Sequence, residues 1–170
     1  MLIQRSLTSA EAALLHTELK TTPNILGYTI PELLRFAHVL LAEEQGQLVG
    51  VCLSKDLWFG WTDIAVLYVL PEFRGRGVAR ELYTAAWKNA EERGRHIYTL
   101  SCSPAVIHLM KHFGMETSCS MLRAPLAVHL HMNKHMMSWY RTTEAIRKAR
   151  TMKRSARLVG GTKRRAKRTT

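Results

Sequence analysis

The chain has 170 residues, 46% hydrophobic and 22% charged, enough to bury one domain's core and too apolar for a chain without a fold. Its formal charge of +12 is unevenly placed: residues 1–146 hold 14 Lys+Arg against 13 Asp+Glu, whereas 147–170 hold 11 Lys+Arg and no acid. No apolar run approaches the roughly 18 residues a membrane helix needs, Met1–Ala10 lacks the basic-then-apolar pattern of a leader, and Cys52, Cys102 and Cys119 match no zinc spacing; the expectation is a cytoplasmic protein with free thiols.

In chain order, Met1–Leu7 reads as a first strand. Thr8 and Glu11 form a capping box, and the following helix sets Ala12, Leu15 and Leu19 on its inner face. A second capping box, Thr29 with Glu32 around Pro31, opens a short helix. His38–Glu44, a turn at Gln45-Gly46 and Gln47–Lys55 make a hairpin, and Asp56–Trp61 links it to a strand over Thr62–Leu70. After a Gly/Arg-rich loop, Ala79, Leu82, Tyr83, Ala86, Trp87 and Ala90 recur at helical spacing until Gly94. His96–Cys102 is the next strand, and Ser103-Pro104 opens a helix carrying Val106, Leu109, Met110 and Phe113, ended by Gly114. Glu116–Ala124 and Leu126–Met132 read as closing strands around Pro125. From Lys134 to Val159 the pattern is helical and increasingly basic; Gly160-Gly161 breaks it, and 162–170 reads as disordered. This order predicts a mixed α/β domain with a mainly antiparallel central sheet.

The loop Arg74–Ala79 carries the most chemistry. A helix N-terminus presents N–H groups without intrahelical partners and a partial positive charge. Gly75 and Gly77 let a bulky anion approach the backbone, successive amides can curl into an anion-binding nest, and Arg74 and Arg76 add charge at the rim. A phosphate or pyrophosphate fits such a seat. A nucleotide P-loop is excluded because no Gly-x4-Gly-Lys-Ser/Thr run exists. A dinucleotide fingerprint needs glycine at position 80, which is Arg80. Taken alone, the loop is equally a tight turn that binds nothing.

The stretch from Leu67 to Ala86, LYVLPEFRGRGVARELYTAA, resembles the acetyl-CoA signature of the GNAT acyltransferases, with Arg74, Gly77 and Ala79 at its defined positions. SPAVIHLMKHFGM, from Ser103 to Met115, is similar to the family's later helix-plus-glycine motif, and the resemblance spans about Leu2 to Arg123. It implies a GNAT fold, with the coenzyme A pyrophosphate on the amides of Arg74, Gly75, Arg76, Gly77, Val78 and Ala79. The pantetheine arm would run beside Leu67, Tyr68 and Val69 toward Cys102, where two neighbouring strands splay apart. Residues 1–132 would be the acyltransferase domain, 133–159 a basic helix and 160–170 a basic tail.

Direct acetyl transfer needs a neutral amine and a proton for the departing sulfur. Where many members of the family carry a proton-donating Tyr, this chain has Met110; where many carry Asn, it has Cys102. His108 and His112 flank the gap and, with Tyr140, are the candidate acids. Asp63, at the start of the strand leading into the loop, is the candidate base. Trp58, Phe59 and Trp61 could shape an acceptor pocket or cap the core. His129, His131 and His135 lack the Cys or acid that would complete a metal set, so no metal is expected. Arg147, Arg150, Arg154 and Arg157 share one helical stripe, which suits RNA or DNA phosphates as well as a solvated tail. The expectation is transfer of acetyl from acetyl-CoA to a primary amine of a small molecule, protein or aminoacyl-tRNA. The alternative is a catalytically impaired CoA-binding module tethered to nucleic acid. A homodimer is left open.

Overall fold

The computed structural model describes residues 1–22, 25, 27–136, 142–144, 146–148 and 158–165. Strand β1 (Leu2–Gln4) leads into helices α1 (Ser9–Thr21) and α2 (Ile30–Leu34). Three strands follow, β2 (His38–Glu44), β3 (Gln47–Asp56) and β4 (Trp61–Val69), then α3 (Val78–Glu92), β5 (His96–Ser101) and α4 (Pro104–His112). The chain closes with β6 (Glu116–Ser118), α5 (Leu126–Met136) and β7 (Val159–Lys163). The strands form one sheet in the order β1-β2-β3-β4-β5-β7-β6. Every pairing is antiparallel except β4 with β5, which is parallel.

Local chemistry explains the early elements. Both capping boxes form: the Thr8 N–H donates to Glu11 Oε2 at 2.7 Å while the Glu11 N–H donates to Thr8 Oγ1, and the Thr29 N–H donates to Glu32 Oε2 at 2.8 Å. Helices α1 and α2 cover one face of β2–β4, burying Leu15, Leu19 and Leu33 against Leu41, Val51 and Val66. Helix α3 covers the other face with Leu82, Tyr83, Ala86 and Ala90. Gly50 of β3 makes this possible, since a Cβ there would lie 2.9 Å from the Tyr68 carbonyl and 3.2 Å from Leu82 Cδ1.

Two expectations for the C-terminal third are corrected. Leu126–Met132 is helix α5, not a strand. The alternation around His129 and His131 suggests period 2, but the side chains facing Leu57, Trp61 and Tyr98 are Ala124, Ala127, Val128 and Met132, a helical set. Likewise, Gly160-Gly161 does not start a disordered tail: the pair lies in β7, inserted between β5 and β6. A Cβ at Gly161 would sit 3.0 Å from Met110 Sδ and 3.2 Å from Met115 Sδ, and one at Gly160 would sit 3.4 Å from Tyr98 Oη. Both faces of β7 are therefore covered, and glycine is what the close approach demands. Residues 166–170 lie outside the described residues.

The basic segment before β7 is also engaged with the fold. Residues 142–144 and 146–148 are helical. Arg147 donates to Glu144 and to the Lys20 carbonyl at 2.7 Å. Lys148 is buried and donates to the carbonyls of Leu19, Thr22 and Ile25 beyond the end of α1. Arg150, Arg154 and Arg157 lie outside the described residues.

Candidate active site

The site is made by a parting of strands. Strands β4 and β5 pair only over Trp61–Asp63 with His96–Tyr98, so Ile64–Val69 and Thr99–Ser101 diverge. On its other side β4 carries a bulge: Leu53 lies opposite Val66 but Ser54 lies opposite Ile64, leaving Ala65 as an extra residue. The bulge changes which face each side chain meets. Ile64, Leu67 and Val69 turn to the α3 side, Val66 and Tyr68 to the α1 side. A cavity of about 710 Å³ occupies the opening. Backbone N–H and C=O groups along a strand edge without a neighbour are costly to bury unless something pairs with them.

At one end of the cavity stands the glycine-rich loop. Leu70 leads into a 3-10 turn at Pro71–Phe73, and Gly75 and Gly77 both take positive φ, 80° and 83°. A Cβ on either would meet nothing within 4 Å, so glycine is required by the backbone torsion and not by crowding. Gly77 is the N-cap of α3 and its carbonyl accepts from the Arg80 and Glu81 N–H groups. Among the described backbone hydrogen bonds, none is donated by the N–H groups of Gly75, Arg76, Gly77, Val78 or Ala79. Five consecutive amides thus stand ready for an anion where α3 begins. Arg74 Nε donates to the Val69 carbonyl at 3.0 Å and its guanidinium lies 5.5 Å from the Tyr68 ring centroid, which holds it at the foot of the loop.

Of the sequence-derived residues, Asp63, Leu67, Tyr68, Val69, Arg74, Gly75, Gly77, Val78, Ala79 and Cys102 all line the cavity. Arg76 does not; it turns outward to Glu44 at 3.5 Å and lies 5.1 Å from the Phe73 ring centroid. The Tyr68 hydroxyl points to the α1 face and donates to Glu18 at 2.5 Å, leaving its backbone to the cleft. Burial raises the pKa of the Cys102 thiol, so it stands there neutral.

His108 and His112 are exposed on α4 and are not among the cavity's lining residues, which corrects their reading as acids. Both lie on the side of α4 away from its buried Leu109 and Met110. Met110 itself is fully buried beneath β7, in the core. Tyr140 lies outside the described residues. Trp58 and Phe59 are exposed at the β3–β4 turn and Trp61 is buried under α5.

The sequence reading missed Lys55, Tyr28, Tyr83, Tyr98 and Lys148, which also line the cavity. Lys55 Nζ lies 3.7 Å from Asp63 Oδ2, with both side chains largely buried. The signal available was a lysine inside the apolar run of β3, directly opposite Asp63 in register. Tyr83 Oη is committed to Thr99 Oγ1 at 3.2 Å and to Met115 Sδ. Tyr98 Oη is buried with no hydrogen-bond partner among the described residues. Burial raises both phenols above their ordinary pKa, which keeps them protonated.

A sheet that parts beside an amide-lined helix start defines a protein that grips a long, phosphate-bearing carrier edge-on. Residues 9–115 match the acetyltransferase (GNAT) family, and the chain belongs to that family. An uncharacterized N-acetyltransferase of Archaeoglobus fulgidus is 37% identical over 68 residues, covering 36% of this chain and 46% of that protein, so the match spans less than half of its relative. Among solved structures, N-acetylglutamate synthase of Neisseria gonorrhoeae, complexed with coenzyme A and N-acetyl-glutamate, superposes with a TM-score of 0.66 at 18% identity, covering 99% of this chain and 36% of that one. The ribosomal-protein-S18-alanine N-acetyltransferase of Escherichia coli gives 0.61 at 11% identity, covering 100% and 99%. These likenesses show the fold. Acetyl-CoA is the usual co-substrate of the family, and the torsions and unengaged amides of Gly75–Ala79 fit its pyrophosphate. Among the described residues no helix is long and apolar enough to cross a membrane.

Proposed function

We propose that this protein transfers the acetyl group of acetyl-CoA to an amine, with Asp63 as the base. The observation that carries the reading is the single cavity that joins the Gly75–Ala79 amides to Asp63, at the last residue pair before β4 and β5 part. Bound acetyl-CoA supplies the activated acetyl thioester. The amides of Gly75–Ala79 with Arg74 would hold its pyrophosphate, and the edge of β4 from Leu67 to Val69 would pair with its amide-bearing arm. An amine enters protonated and must lose a proton before it can attack. Asp63, largely buried on the α1 face, is the carboxylate that accepts it. The apolar lining on either side keeps bulk water from the thioester. Met110 donates no proton and lies in the core, so the departing sulfur takes its proton from another source; Tyr98, protonated and lining the same cavity, is the nearest candidate the fold offers.

The test is titration calorimetry with acetyl-CoA followed by thiol release with a panel of amines. Binding at sub-millimolar ligand and acceptor-dependent thiol release are expected. Absence of binding removes the foundation of the reading. A binding-only module tethered to nucleic acid gains no support, because Arg147 and Lys148, which open the basic segment, are spent inside the fold.

A further inference from the structure

We infer that the acceptor is a free α-amino acid with an apolar side chain, its ammonium received by Asp63 and its carboxylate by Lys55. This rests on the acetyl-transfer reading above and narrows it.

Lys55 and Asp63 face each other in register across β3 and β4, on the side of the sheet covered by α1 and α2. Their charged atoms are 3.7 Å apart, an ion pair too long to be a hydrogen bond, and their side chains are only 18% and 13% exposed. Taking two charges out of water at that separation costs more than the attraction returns, so packing alone gives no reason for the pair. The ammonium is oriented by two rings, 5.9 Å from the Tyr28 centroid and 5.8 Å from Phe36. Both groups retain capacity: a carboxylate accepts several hydrogen bonds and an ammonium donates three.

The surrounding charges select among amines. Asp63 is the one carboxylate among the described residues lining the cavity, against Lys55, Arg74 and Lys148. Lys148 is bound to three carbonyls, and Arg74 to the Val69 carbonyl at the loop end. The field at the acceptor end is therefore net positive. A polyamine or a lysine side chain would bring a second cation beside Lys55 with nothing to offset it. An α-amino acid carries ammonium and carboxylate on one carbon and matches two opposite protein charges 3.7 Å apart. A peptide N-terminus has an amide in place of that carboxylate and leaves Lys55 unanswered. Ile25, Leu57, Val128, Met132 and Leu158 make the rest of the wall apolar, which sets the side-chain preference.

The experiment is equilibrium binding to the full chain saturated with coenzyme A, which needs no turnover. Leucine, methionine and phenylalanine are each compared with their amides and their decarboxylated amines. At least one acid should bind roughly ten- to a hundredfold tighter than its amide, the worth of one charge-assisted hydrogen bond. Lys55→Gln should bring that acid down to the level of its amide while coenzyme A affinity stays unchanged. Lys55→Met, with folding checked by circular dichroism, is the second variant. Amides or amines that bind as well as the acids in all three sets, or a preference that survives both variants, overturn the inference. Thiol release is read separately. Acids that bind without any release refute acetyl transfer and leave the amino-acid site standing. Release with amides and peptides but no preference for acids does the reverse.

Discussion

Placing a carboxylate in the loop tests the anion seat directly. Gly77 caps α3 at φ 83°, with open space where a Cβ would be. Gly77→Ala therefore meets no clash and costs only the left-handed torsion, about 1–2 kcal/mol for an L-residue. In a domain of this size that is a melting point lower by a few degrees. Gly77→Asp carries the same torsional strain, somewhat relieved because Asp tolerates this region, and adds a negative charge among the amides of Gly75–Ala79. Two like charges about 5 Å apart at an effective dielectric of about 20 repel by about 3 kcal/mol. The dissociation constant for acetyl-CoA should thus rise by at least roughly a hundredfold in Gly77→Asp, and far less in Gly77→Ala. Calorimetric titration of both variants beside the parent protein, with melting curves for each, separates strain from charge. Equal affinities for the two variants would mean the pyrophosphate lies elsewhere and would refute the assignment of the loop.

Three further outcomes follow from other parts of the fold. Asp63→Asn should lower the rate of thiol release by roughly a hundred- to ten-thousandfold, the usual worth of a general base, with coenzyme A affinity intact; a smaller loss assigns the proton to another group. Gly161→Val would drive a side chain into Met110 and Met115, overpacking worth about 1–3 kcal/mol, and an unchanged chemical-denaturation midpoint would contradict the placement of β7. Lys148→Met would remove the donor shared by the carbonyls of Leu19, Thr22 and Ile25. Burial holds the pKa of Lys148 down to about 8, below the 10.5 ordinary for lysine. Between those values the unfolded chain binds more protons than the native one, so the stability of the parent relative to Lys148→Met should rise with pH across that window. Denaturation curves at pH 7.5 and 10 measure the difference, and a fall would reverse the sign.

How much was legible in the sequence depends on how local the cause was. The caps at Thr8 and Thr29 are three-residue hydrogen-bonding patterns and could be read directly. The glycine loop was legible because positive φ at Gly75 and Gly77 is a property of single residues beside a helix start. Strand β7 was not, because its glycines answer to Met110, Met115 and Tyr98, far away in sequence. Read locally, two glycines before a basic run say only that a helix ends. Helix α5 failed for a related reason: His129 and His131 lie two apart by accident, and the residues that pack are set by Leu57, Trp61 and Tyr98 on other elements. The histidines of α4 were chosen for their chemistry and turned out to lie on its exposed face.

The extra residue Ala65 shows why the site belongs to the sheet and not to any one motif. Without it, strict alternation from Asp63 would carry Leu67 and Val69 to the α1 face together with Asp63. With it, Asp63 stays on the α1 face beside Lys55, while Leu67 and Val69 pack beneath α3. The bulge also bends β4 away from β5 one residue pair after their last contact, Asp63 with Tyr98. One inserted residue thus sets the base on the acceptor side, seats the loop-bearing end of the strand under the helix whose N-terminus forms the anion seat, and opens the edge between them. Deleting Ala65 should therefore abolish acetyl-CoA binding as well as turnover, even though the residue touches neither the loop nor Lys55 through a hydrogen bond.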